Sequence, residues 1–92
     1  MVYRIVDVYR YINGTKAIAK VAVREDTGRR IKRRPSFLTP EEIANRIDNG
    51  DHFYSFDLKR QIAVPVIFEM IEGVVQVRTE SDYELDDYLD IL

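Results

Sequence analysis

Basic residues spaced to meet an anion are the strongest chemical signal in this 92-residue chain. Lys16, Lys20 and Arg24 recur at even intervals, so on a β-strand all three project from one face. A denser run follows at Arg29-Arg30-Ile31-Lys32-Arg33-Arg34. Arginine presents a planar fork that grips phosphate oxygens in pairs, and lysine adds a mobile point charge. With Arg10, these residues (Lys16, Lys20, Arg24, Arg29, Arg30, Lys32, Arg33 and Arg34) form a candidate contact with a nucleic-acid backbone. Tyr9 and Tyr11 flank Arg10 with rings of the kind that stacks on bases, although tyrosine is first of all a strand former.

Other chemistry finds little footing. There is no cysteine, which excludes disulfides, thiolate catalysis and cysteine-ligated metals. His52 is the sole histidine and reads as the first residue of a strand. The four glycines lie too far apart for a P-loop or a dinucleotide fingerprint. Glu41 and Glu42 fall where a helix start favours negative charge, and neighbouring positions do not converge on a substrate. Asp82-x-Glu84-x-Asp86 imitates the opening of a calcium loop, but Asp87 stands where the loop needs glycine. Arg33-Arg34-Pro35-Ser36 has the form of a basophilic kinase target, a pattern short enough to arise by chance. No catalytic residue, metal or cofactor is expected.

The elements that must hold the basic residues read as follows. Asn13-Gly14, the preferred pair for a type I′ turn, separates two β-rich runs, Val2–Ile12 and Lys16–Arg24, and predicts a hairpin. The turn at Asp26-Thr27-Gly28 leads to a third strand around Arg30–Arg34, ended by Pro35. Thr39-Pro40-Glu41-Glu42 predicts a helix start with a capping box, and Leu38 and Ile43 form a hydrophobic staple. The helix buries Ile43, Ala44 and Ile47 and stops near Asn49-Gly50. Strands His52–Asp57, Gln61–Ile71 and Val74–Thr79 follow, the last two divided by Glu72-Gly73. Ser81–Leu92, with Leu85, Tyr88, Leu89 and Leu92 at helical spacing, predicts a short terminal helix. The expectation is one α+β domain over residues 1–92. It has an antiparallel sheet of five or six strands ordered β-β-β-α-β-β-β, with the central helix packed on it.

In Gln61–Ile71 the positions Ile62, Val64, Val66, Phe68 and Met70 are all large and apolar, a face that must meet the helix or a partner. Pro65 lacks an N–H and favours an edge position or a bulge, and an apolar edge strand invites pairing with a second chain. Pro65 and Ile67, with Tyr83 and Tyr88 in the tail, are the candidate protein-interaction residues. A chain this small buries only roughly 60–65% of the surface its unfolded form exposes, so self-association would help stabilise it.

Apolar types at 46% and charged types at 33% suit a folded globular chain. The formal charge of −2 conceals a division: ten Lys/Arg against three acids in residues 1–34, and four against thirteen in residues 35–92. Three arrangements account for that polarity. The acidic tail lies over the basic strands, the two ends complement each other between copies, or the basic hairpin faces nucleic acid. The overall acidity, with an isoelectric point near 5.4, weighs against a dedicated nucleic-acid binder. Arg4, Asp7 and Arg10 interrupt any signal-peptide core, and Ile62 to Phe68 is too short to span a membrane. A cytoplasmic protein is expected.

Ile47-Asp48-Asn49-Gly50 followed by Phe53-Tyr54, and the ending Val77-Arg78-Thr79, Asp82, Asp87, Leu89 and Leu92, together resemble a family of small prokaryotic proteins. That family is domain of unknown function 3892. Tyr88 stands where the family pattern has asparagine, and the basic run at 29–34 is longer than its pattern implies. The resemblance implies the same order of hairpin, helix and strands and a prokaryotic source, and it brings no reaction, cofactor or catalytic residue. The leading expectation is a non-enzymatic protein-interaction module, a homodimer. The alternative is a nucleic-acid-binding accessory protein.

Overall fold

Apolar alternation draws the N-terminal third into a hairpin. In a computed structural model, which describes residues 1–12 and 17–80, β1 (Val2–Arg10) runs antiparallel to β2 (Ile18–Asp26). The Asn13-Gly14 turn lies outside the described residues. Two bulges interrupt the ladder, between Ile5 and Asp7 and between Tyr9 and Arg10. The first inserts Val6 as an extra residue, so Tyr3 and Ile5 face the core before it and Val8 faces the core after it. Asp7 and Tyr9 are thereby turned to the opposite face.

The third strand is not where the sequence placed it. β3 is Ser36–Leu38, paired with β2 from Val21 to Val23, and Arg30–Arg34 is a loop. Gly28 N donates to Asp26 Oδ1 at 2.8 Å and Thr27 N to the Arg30 carbonyl at 3.0 Å, a tight turn that returns only Ile31 to an isolated bridge with Asp26. Five cations side by side repel one another along a ladder, and pairing resumes after Pro35, which has no N–H to give.

Thr39 caps α1 (Pro40–Asp48): Glu42 N donates to Thr39 Oγ1, and Thr39 N to Glu42 Oε1, each at 3.2 Å. Beyond Asn49 the chain turns at Gly50, whose φ of +99° suits glycine, and Gly50 N donates to the Ile47 carbonyl. This crossover returns the chain beside β1 in the same direction. β4 (His52–Asp57) is therefore parallel to β1, a correction to the fully antiparallel expectation.

β5 (Ile62–Ile71) pairs with β4 through Pro65 and with β6 (Val74–Thr79) from Val66 onward. Glu72 (φ +51°) and Gly73 (φ +79°) close the β5–β6 hairpin in the two-residue form that strand twist favours. The sheet order is β3-β2-β1-β4-β5-β6, so β5 is internal and not the edge strand its proline suggested. Pro65 accepts a 2.9 Å hydrogen bond from Glu80 N, which places its missing donor on the β6 side, just past the end of the β6 strand. Of the apolar face of β5, Val64 and Val66 are buried and Phe68 is half-buried, while Ile62 and Met70 are exposed.

The helix lies on one face of the sheet, and Ile43, with none of its surface exposed, joins Tyr3, Ile5, Val21, Val23, Leu38, Phe53, Val66 and Val77 in the core. Tyr3 stacks on Phe53 at 5.0 Å between ring centroids, and Arg46 Nη1 donates to Tyr3 Oη at 3.0 Å. The domain is α+β with a mostly antiparallel six-stranded sheet and one helix among the described residues. The terminal helix expected over 81–92 lies outside them.

Candidate nucleic-acid interface

With the helix on one face, the opposite face of the sheet carries no covering element among the described residues. The bulged register decides what stands there. Lys20 pairs with Tyr9, Arg24 with Arg4, and Arg4 in turn with Tyr54 on β4; Phe37 on β3 sits across from Ala22. Lys20 thus stands beside rings at one end of the face, and the adjacent Arg24 and Arg4 meet Tyr54 at the other.

At one end of this face, Lys20 Nζ stands 5.3 Å from the Tyr9 ring centre and 5.1 Å from that of Phe37. The two rings lie 6.0 Å apart, tilted by 56°, and remain 40% and 52% exposed. The neighbouring Asp7 carboxylate, by its charge first and a hydrogen bond last, raises the Tyr9 hydroxyl above its ordinary pKa.

Further along, Arg4 lies over the Phe56 ring at 5.1 Å. Tyr54 Oη donates to Asp26 Oδ2 at 2.6 Å. Burial first, then that hydrogen bond, pushes the Tyr54 hydroxyl up to about 12. The same bond, with Gly28 N and the charge of Arg4, holds Asp26 below the usual carboxylate range. Asp26 thus stays ionised near Arg4. Arg24 is half-buried, and its Nε is buried with no hydrogen-bond partner among the described residues.

The loop 29–34 leaves β2 two residues beyond Arg24. Lys32 Nζ pairs with Glu25 Oε2 at 2.6 Å, whereas Arg29, Arg30, Arg33 and Arg34 are exposed and make no ion pair among the described residues. Residues 30–34 line an open concavity of about 600 Å³. Of the nine basic residues singled out in the sequence, Lys20 and Arg24 share the sheet face and five occupy this loop. Arg10 does not join them. It ends β1, half-buried, and lines a separate groove of about 480 Å³ with Tyr11, the start of α1 and the edge strand β6. Lys16 lies outside the described residues.

Sequence reasoning missed Arg4, Phe37, Tyr54 and Phe56 as members of this surface. Arg4 and Tyr54 had only their alternation to signal them, and Phe37 was displaced by the misplaced third strand. Among the interaction candidates, Pro65 is exposed beside Tyr54 and Ile67 is half-buried across from Arg78, both on the uncovered face. Tyr83, Tyr88 and the Asp82-Glu84-Asp86 pattern lie outside the described residues. Glu42 is engaged in the capping box. Among the described residues, no cluster of three metal-ligating side chains occurs and no helix is long and apolar enough to cross a membrane.

Comparison with family models, with curated proteins and with solved structures returned no match.

Proposed function

We propose that this chain is a non-enzymatic, cytoplasmic binding module whose ligand is nucleic acid. The loop 29–34 meets the phosphate backbone, and Lys20, Arg24 and Arg4 continue the contact across the sheet. One observation carries this reading: Lys20, Arg24 and Arg4 share with aromatic rings the sheet face that the helix leaves open, and the adjoining loop holds exposed arginines that make no ion pair among the described residues. The overall negative charge does not oppose it, because among the described residues nine of the thirteen cations but only three of the eleven acids lie before residue 35. Fluorescence anisotropy with a labelled oligonucleotide is the test. If about five cations reach phosphates, affinity falls about a hundredfold between roughly 50 and 200 mM salt. No binding at the lower salt refutes the proposal.

A second reading, a homodimer, has a different basis from the apolar β5 edge first expected. β6 is a terminal strand whose outer edge is unpaired among the described residues, with Val74 exposed at its start. Light scattering at micromolar concentration separates the two states; a mass of 10.8 kDa rules out the dimer. Kinship with the family resembled in sequence is part of the proposal and adds no activity to it.

A further inference from the structure

We infer that the nucleic acid is single-stranded and that one of its bases stacks on the Tyr9–Phe37 pair, an inference that rests on the nucleic-acid reading above. The two rings are the most exposed aromatics of the sheet face and lie within reach of one base, 6.0 Å apart. Their faces are already used, weakly, by the Lys20 ammonium at 5.3 and 5.1 Å. A cation held over exposed rings is readily exchanged. A phosphate arriving at this corner draws the flexible Lys20 side chain to itself and leaves the rings to the base attached to that phosphate. One residue thus supplies both the charge and the vacancy.

A duplex cannot use this arrangement, because its base faces are closed by stacking and it offers the sheet only phosphates and groove edges. The bland alternative is that Lys20 and the rings merely cover Ala22 and steady β3, a short edge strand. The two readings differ in what a base contributes.

The test compares an oligothymidylate of about twelve nucleotides with an abasic strand of the same length and charge, both at low salt. Thymidylate should bind about tenfold more tightly than the abasic strand. In the variant combining Tyr9→Leu with Phe37→Leu that difference should vanish, thymidylate binding only as tightly as the abasic strand. The chain has no tryptophan, so Phe37→Trp supplies a single fluorescent reporter that retains a stacking ring. Its emission should be quenched by thymidylate and not by the abasic strand. Equal affinity for the two strands, or equal quenching, overturns the stacking inference and leaves backbone binding intact. Absence of binding to either strand removes both.

Discussion

Replacing Ile43 by alanine probes the arrangement on which everything else depends, the helix lying on one face so that the other is open. The side chain is fully buried in the centre of the core and makes no polar contact. Truncation removes about three carbons, roughly 2.4 kcal/mol of transfer free energy at ~0.8 kcal/mol each. The walls around it are, apart from Leu38, β-branched or aromatic side chains on paired strands, which relax poorly, so a cavity contribution raises the loss to about 3–4 kcal/mol. Alanine's better helix propensity returns about 0.4 kcal/mol. A net loss near 3 kcal/mol is a large share of the roughly 5–14 kcal/mol a domain this size holds. Urea denaturation followed by far-UV circular dichroism should show the midpoint falling by about 2–3 M, at a slope near 1 kcal/mol per molar. Ile47→Ala, at a half-buried position on the same helix, should cost about 1 kcal/mol. If Ile43→Ala costs less than 1 kcal/mol, or no more than Ile47→Ala, the helix does not cover this core and the assignment of the open face fails.

Three further outcomes follow from local chemistry. Thr39→Ala removes the side-chain half of the capping box, the Oγ1 acceptor for Glu42 N, while the Thr39 N donor to Glu42 remains, and should lower stability by about 1 kcal/mol in the same urea assay. Because Asp26 is held below its ordinary pKa chiefly by Tyr54, Tyr54→Phe should open a stability gap to the parent that is full above the unfolded carboxylate pKa near 4. That gap should shrink as pH falls through the folded value; a gap that widens in acid contradicts the Tyr54–Asp26 bond. With its hydroxyl raised to about 12, Tyr54 favours the folded state below the unfolded phenol pKa near 10 and loses that contribution as pH rises from about 10 to 12. In a 295 nm titration of the folded protein one tyrosine should accordingly ionise late, and Tyr54→Phe should remove that step.

Much of the fold was legible because local physics suffices for it. Thr39-Pro40-x-Glu42 announces the helix through backbone donors that its own side chains satisfy, and Glu72-Gly73 announces the last hairpin through positive φ. What was not legible is non-local. The parallel seating of β4 on β1 depends on where the crossover lands, and nothing near His52 encodes it. Pro65 reads as an edge signal, but its missing donor is tolerated inside the sheet because it falls past the end of β6. The basic run reads as a strand because it lies between the Asp26-Thr27-Gly28 turn and Pro35, yet repulsion and the tightness of that turn leave it a loop. The candidate surface was half legible for the same reason. Period-two spacing finds Lys20 and Arg24, whereas Phe37, Arg4 and Tyr54 join them only through strand order and the shift introduced by Val6.

Because β5 gives its first half to β4 and its second half to β6, with Pro65 at the changeover, the last hairpin is a separable cooperative unit. The amides of β5 should divide accordingly in native-state hydrogen exchange. Those paired with β4 should open only with the whole domain, and those from Val66 onward at the lower free energy that frees β6. That boundary falls beneath Val77 and Phe68, so a partial opening there unwraps one side of the helix while the strands bearing Lys20, Arg24 and Arg4 keep their register. The β1 and β2 part of the surface proposed to hold nucleic acid therefore belongs to the more slowly exchanging part of the protein.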